Sequence, residues 1–395
     1  VGASAASAAA RPRLAAVFNA DNATVDGLFR PFGEARWLEE ELRARGAAIV
    51  HASQRHWEAL RGRPDKQREF ALNIFSACTS CDCFYIDARE GLGGRPGVRE
   101  AYGEVLLAGV AANVPGRPAG VMLGMDRHTI ACSNASGDPY GYHYGVSVEQ
   151  AAAADALIVC SAKYFNMCPS GLRQKMHLVP HYARNTPSIS TLRARRRAMD
   201  RRMDAFGGRR HVRIFGGGRS GRDFETLIAA VRGVPGVLLQ LFTGGLPVRA
   251  CDAGVPCVVM ARVGREEFER AMERAVLVAV PVRADAKAGA GVSTLYTAMR
   301  RGKLVAITDR GDGLTAGLLA HGHDGFQVPV GGVAEWRALI LRLLAAGVPA
   351  LRAYEHRVFD RAEEMLSREA IADAISERLL PRCAEAWRAG RAAAG

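Results

Sequence analysis

Lysine is nearly missing from this chain: only Lys66, Lys163, Lys175, Lys287 and Lys303 appear among its 53 basic residues, and the rest are arginines. So one-sided a usage, beside 43 glycines and abundant alanine, reads as a compositional bias before it reads as a polyanion-binding surface. No basic stripe with interleaved aromatics accompanies the formal charge of +13, so nucleic acid is not an expected partner. Runs of about 18 apolar residues are absent too, and no integral membrane segment is expected. A nucleophile elbow, a Walker loop and a GxGxxG fingerprint with its ribose-binding acid are all missing, which disfavours a hydrolase, a P-loop enzyme and a dinucleotide-binding dehydrogenase. The cysteine run CTSCDC (Cys78, Cys81, Cys83) lacks a second CxxC or HxxxH pair to complete four zinc ligands, so no metal is expected.

What is present is ample: 395 residues at 49% hydrophobic content exceed one compact unit and imply two domains. The chain opens on Val1 with VGASAASAAARPR, small, basic and acid-free, which reads as the stub of a processed leader. The expectation is a soluble protein of the cytoplasm or an organelle interior. Nine cysteines are an odd number, and Cys160 and Cys257 lie in apolar runs, so free buried thiols and a reducing compartment are expected.

Short apolar runs alternate with stretches of helical period. LAAVF (14–18), AAIVHA (47–52), FYID (84–87), GVMLGM (120–125) and ALIVCS (156–161) read as strands, and 35–45 and 98–112 as helices between them. Such alternation means parallel βα units. A second series follows with VRIFGGG (212–218), VLLQLFTGG, CVVMARV, AVLVAVPV and LVAITD. The expected organisation is an N-terminal Rossmann-like domain over 11–190, a basic linker over 191–210, a C-terminal Rossmann-like domain over 211–350, and a helical segment over 351–395 packing across or between the halves. The arginine run of the linker reads as a solvated helix.

Two segments carry chemistry. In RIFGGGRSGRDFETLIAAV (213–231) a strand runs through Gly217 and Gly218 into Arg219 and Arg222, then into a helix with Leu227, Ile228 and Val231 on one face. Glycines allow close backbone approach, and the arginines offer paired donors to phosphate oxygens; the plain alternative is a Gly-rich connection with solvent-facing arginines. In AVLVAVPVRADAKAGAGVSTLYTAMRRGKLVAITDRGDG (275–313) a strand ends at Pro281, and Gly291, Val292, Ser293 and Thr294 open a helix whose Leu295, Ala298 and Met299 face inward and which Gly302 ends. Free N–H groups and the helix dipole favour a phosphate there; alternatively Ser293 and Thr294 merely cap the helix.

The order of these segments, together with CVVMARVGREEFERAMERAVLVAVPV and AGVSTLYTAMRRGKLVAITDRGDGLTAGLLAHGHDGFQVPV, resembles the C-terminal half of GT-B glycosyltransferases, especially the retaining group-1, family-four type. In the first half DALIVCSAKYF (155–165) and HLVPHY (177–182) occupy corresponding places. The resemblance implies two Rossmann-like α/β domains with a cleft between them, and transfer of a sugar from a nucleoside-diphosphate sugar to a carbohydrate or other acceptor. It implies retention of configuration and no cofactor or metal. Arg219 and Arg222 would neutralise the donor diphosphate, Gly217, Gly218 and Gly291 to Thr294 would lie against it, and Arg262 and Val263 would border the nucleobase. Where the family carries an acidic pair, this chain has Gly289 and Thr297, and Thr297 would give the ribose one neutral hydrogen bond. Asp285 stands four residues too early to replace the first acid.

Asn19, Asp21 and Asn22 follow the first strand, where open α/β sheets bind ligands, and are placed on the acceptor side with Asp126. His128, in GMDRHTIACSN, is the expected polar contact to donor or acceptor sugar, against the bland reading of a surface histidine. The loop GDPYGYHYG (137–145) suits a sugar platform or a packed loop. The missing acidic pair motivates an alternative, a degenerate GT-B-like binding or scaffold protein; a sugar-nucleotide epimerase is a third reading.

Overall fold

The computed structural model describes residues 12–19, 36–52, 59–60, 63–87, 114, 117–124, 148–159, 162, 168–180, 186–203, 212–218, 221–243, 257–260, 263–286, 290–313 and 315–394. The chain divides into two compact units, one of residues 1–160, 168–179 and 372–395 and the other of 161–167 and 180–371.

The first unit contains β1 (Leu14–Asn19), α1 (Arg36–Ala44), β2 (Ala48–Ala52), α2 (Pro64–Ser76), β3 (Cys83–Asp87), β4 (Gly120–Gly124), α3 (Val148–Ala152), β5 (Ala156–Val159), α4 (Ser170–Arg173) and β6 (Met176–Leu178). Its six strands are all parallel, in the order β2-β1-β3-β4-β5-β6. Strands covered on both faces need continuous apolar runs, and Ala156 to Val159 are buried without exception. The second unit contains α5 (Ile189–Met203), β7 (Val212–Gly217), α6 (Phe224–Val231), β8 (Val237–Phe242), β9 (Cys257–Met260), α7 (Arg265–Glu273), β10 (Leu277–Val280), α8 (Val292–Met299), β11 (Val305–Asp309), β12 (Phe326–Pro329) and α9 (Val333–Leu366). Its strand order β12-β11-β10-β7-β8-β9 is again all parallel and reverses direction between β7 and β10. Helix α9 bends at Gly347, whose φ is 73°, just before Pro349. The chain then runs through α10 (Arg368–Asp373) and a π-helical turn, Ala374–Leu379, into α11 (Leu380–Ala394).

Helix α6 shows how sequence becomes structure here. The Asp223 carboxylate accepts from Thr226 N at 3.2 Å and from its hydroxyl at 2.7 Å, closing the N-terminus. Phe224, Leu227, Ile228 and Val231 recur at helical spacing and are all buried, in the same cluster as Trp336 of α9.

The arginine run read as a linker and a solvated helix forms α5, a helix that belongs to the second unit and spends its cations on α9: Arg196 donates to His356 Nδ1 at 2.7 Å and pairs with Asp360, and Arg193 pairs with Glu363. The helical segment at 351–395 is present as expected and contributes to both units: α9 belongs to the second and α11 to the first, where it packs on β3, β4 and β5. The free-thiol expectation is overturned at Cys257, while Cys160 lies outside the described residues. Cys78 pairs with Cys81, Cys83 with Cys383, and Cys168 and Cys257 are disulfide-bonded as well. The reason is physical: burial among apolar residues suits a half-cystine as well as a thiol, and the partner of Cys83 lies 300 residues away. These bridges remove the ground for a reducing compartment. Among the described residues no helix is long and apolar enough to cross a membrane. The expected helix at 98–112 lies outside the described residues.

Candidate functional site

In an open parallel sheet, ligands gather at the carboxyl ends of the strands where strand order reverses. In the second unit that point lies between β7 and β10, and both glycine-rich segments leave the sheet there. Gly217 ends β7 under the rings of Phe215 and Phe268, where a Cβ would come within 2.7 Å of each. Gly218 follows with φ +136°, and a Cβ on it would stand 2.2 Å from the Arg222 guanidinium. Both positions demand glycine, the first by contact and the second by contact and backbone angle.

The two segments are stitched together. Asp223 N donates to Pro281 O at 3.1 Å and Arg283 N to Gly221 O at 2.9 Å, while Val282 N donates to the Thr308 hydroxyl of β11 at 2.9 Å. Arg310, in the run after β11, donates to Ala286 O at 2.6 Å and pairs with Asp312. Thr308 and Arg310 escaped the sequence reading, although the run AITDRGDG at a strand end was a visible signal.

Arg222 is the centre of this arrangement. It is 8% exposed, donates from Nε to Gly217 O at 2.9 Å and from Nη2 to the Thr294 hydroxyl at 3.1 Å. Burial pushes its pKa down to about 10, because the charged form loses water. A cation of this kind ties the end of β7 to the first turn of α8. Gly291 starts that turn at φ +97°, a left-handed angle that glycine adopts freely, and a Cβ there would crowd Val280, Val282 and Ile307. No side chain caps α8, so Thr294 serves Arg222 and not the helix end. The opening N–H groups of such a helix have no i−4 partner and present positive potential. At its other end Gly302 N donates to Met299 O and Lys303 N to Ala298 O, the Schellman closure that the glycine requires. Leu295, Ala298 and Met299 are buried, as their spacing implied.

The remaining expected residues are placed as follows. Val292 is buried behind the turn and Ser293 is exposed on it. The Thr297 hydroxyl donates to Ser293 O at 2.7 Å, so it is already engaged within its own helix. Asp285 is exposed and held by Arg283 at 2.6 Å, and that bond lowers its pKa. Val263 lies half-buried just before Gly264, the N-cap residue that precedes α7. Asn19 closes β1, beside β3 at the order reversal of the first sheet. Arg219, Arg262, Asp21, Asn22, Asp126, His128, Gly289 and the tyrosine-rich loop at 137–145 lie outside the described residues. Arg222, Gly217, Gly218, Gly291 and Thr294 are therefore the expected residues that the structure brings together.

No known protein family matches the chain, and no curated protein matches it in sequence. Solved structures do match. HepE from Anabaena, crystallised in complex with UDP, superposes with a TM-score of 0.53 at 13% identity, covering 93% of this chain and 99% of its own. A glycosyltransferase from Rickettsia africae gives 0.53 at 10% identity, covering 94% and 99%. The α,α-trehalose 6-phosphate synthase of Burkholderia multivorans gives 0.53 at 10% identity, covering 96% and 98%. At such identities it is the fold that is shared, and that fold, two Rossmann-like α/β units with six parallel strands each, is the GT-B architecture.

Proposed function

We propose that this chain is a glycosyltransferase that moves a sugar from a nucleoside-diphosphate sugar to a carbohydrate or other hydroxyl-bearing acceptor. The observation that carries the reading is the cradle at the β7/β10 reversal: a buried guanidinium, two glycines that admit no side chain, and the opening turn of α8. Positive potential fixed in place before reaction stabilises the charge that develops on a departing diphosphate. HepE, similar in fold over nearly its whole length, holds UDP in its crystal structure, which supports a nucleotide donor.

In this reading the acceptor oxygen bonds to the sugar C1 while the C1–O bond to the diphosphate breaks, and the acceptor proton leaves to a phosphate oxygen on the same face, so configuration is retained. Arg222 and the α8 terminus supply the cationic environment that a metal supplies in other transferases, so the reaction needs no metal and no cofactor beyond the nucleotide sugar as co-substrate. Arg219 adds a second cation, Arg262 and Val263 border the base, and Gly217, Gly218 and Val292 to Thr294 line the phosphates. His128 contacts the sugar, with Asn19, Asp21, Asn22 and Asp126 on the acceptor side.

A second reading, a binding or scaffold protein that has lost transfer, is favoured by one observation: Thr297 replaces a carboxylate and its hydroxyl is engaged with Ser293 O. Calorimetry separates the two. The transferase reading expects one of UDP, GDP or ADP to bind the full chain, and its sugar conjugate to be consumed when acceptors are supplied. No binding by any of the three to the folded protein overturns it; binding without turnover across an acceptor panel leaves the scaffold.

A further inference from the structure

The second unit has another concave feature, between β7, β8 and α7. A pocket of about 200 Å³ is lined by Arg213, Gln240, Glu267, Arg270, Ala271 and Arg274. Four of these come from α7 and its end at positions 267, 270, 271 and 274, a spacing that puts them on one helical face. Arg213 of β7 and Gln240 of β8 form the floor. Arg213 lies near the start of β7 and Gln240 is in register with Phe215, so the floor runs along the first part of the β7/β8 pair, and none of the lining residues belongs to the phosphate cradle.

Its charge is uncompensated, since three guanidiniums meet one carboxylate. Neither the Arg213 nor the Arg274 side chain takes part in a hydrogen bond or ion pair with a described residue, and Arg270 gives only a long 3.4 Å bond from Nε to Glu266 O. Gln240 has only the Met260 sulfur, at 3.9 Å. Of the other acids of α7, Glu269 and Glu273 are drawn away to Arg301, and Glu266 is exposed and does not line the pocket. Arg193 and Arg196 of α5 and Arg337 and Arg361 of α9, by contrast, each find a carboxylate or a carbonyl.

We propose that this pocket binds a phosphate monoester. Guanidinium forks match the oxygens of a phosphate in pairs, and an anion among three of them relieves their mutual repulsion. With a water occupying ~30 Å³ of liquid, the pocket holds a phosphate together with part of the molecule that carries it. Glu267 repels an anion from its own wall, which seats the phosphate toward Arg213 and Arg274. The carboxylate and the Gln240 amide are then left for hydroxyl groups of the attached moiety. The ligand class is a phosphorylated polyol, free in solution or displayed as a lipid headgroup.

The test titrates the full chain with glycerol 3-phosphate by calorimetry. It compares wild type with the double variant Arg213→Gln/Arg274→Gln, and with Arg222→Met to remove the cation of the other site. Wild type and Arg222→Met should bind alike, and the double variant at least tenfold more weakly while keeping the wild-type circular dichroism and melting temperature. Glu267→Gln, which removes the opposing charge, should tighten binding about threefold or more. Co-sedimentation with phosphatidylcholine vesicles containing phosphatidic acid, lost in the double variant, assigns the lipid source; binding in solution without co-sedimentation assigns the free one. The proposal is overturned if wild type binds neither probe, if the double variant binds as wild type does, or if binding disappears in Arg222→Met alone.

Discussion

Arg222→Met separates what the cradle does for the fold from what it does for a ligand. Burial strips water from the guanidinium, and the resulting fall of its pKa to about 10 corresponds to a penalty on the order of 3 kcal/mol for keeping it ionised. Hydrogen bonds from the charged group, among them those to Gly217 O and Thr294 Oγ1, offset that with about 1.5–3 kcal/mol each. Methionine of similar length removes the desolvation penalty together with these bonds, so the variant should lie within about 2 kcal/mol of wild type in urea denaturation. Its affinity for the nucleoside diphosphate that wild type binds should fall at least tenfold. The pH dependence has a definite sign. A cation whose folded pKa is lowered exerts its full penalty below about pH 10 and loses it as pH rises through that value, so any stability gain in the variant narrows there. Wild-type affinity for the nucleotide should decline across the same range. A variant that loses more than about 4 kcal/mol of stability, or that binds nucleotide as well as wild type, refutes the assignment of Arg222 to a ligand-directed role.

Lys303 and Glu355 form a buried ion pair behind α8, their side chains 10% and 4% exposed. Lys303→Met leaves an uncompensated carboxylate and should cost about 3–5 kcal/mol, whereas Lys303→Met/Glu355→Leu should recover most of it; melting curves that fail to rank double above single contradict this. Gly302→Ala sets a Cβ 2.0 Å from the Phe359 ring at a φ of +64°, and chemical denaturation should show a loss of about 2–5 kcal/mol. Reduction of Cys83–Cys383, or Cys383→Ser, should cost about 2–5 kcal/mol and open the segment at 380–394 to limited proteolysis; unchanged protease resistance would count against the bridge as the clasp of that helix.

The sheets were legible because buried parallel strands are short continuous apolar runs: β1, β5, β7 and β10 lie where LAAVF, ALIVCS, VRIFGGG and AVLVAVPV predict. Strands β6 and β12 hid in MHL and FQVP, three and four residues at sheet edges, too short to show a period. At the site, Gly218 and Gly291 were readable, since only a backbone constraint explains glycines placed there. The bond between Arg222 and Thr294 was not, because it joins residues 72 apart and follows from the β7/β10 adjacency. For the same reason α5 looked like a solvated linker: its arginines face carboxylates and a histidine about 160 to 170 residues downstream.

The placement of α11 sets an order of events during synthesis. Gly120 of β4 lies so close to this helix that a Cβ would meet Cys383 and Trp387 at 3.0–3.2 Å, so one face of the first sheet is finished only by residues 380–394. A chain emerging from the ribosome therefore presents every strand of its first unit before the helix that covers them exists, and residues 180–371 of the second unit are translated in the interval. The unit encoded first is the one completed last, and its apolar face must be kept from other chains until then.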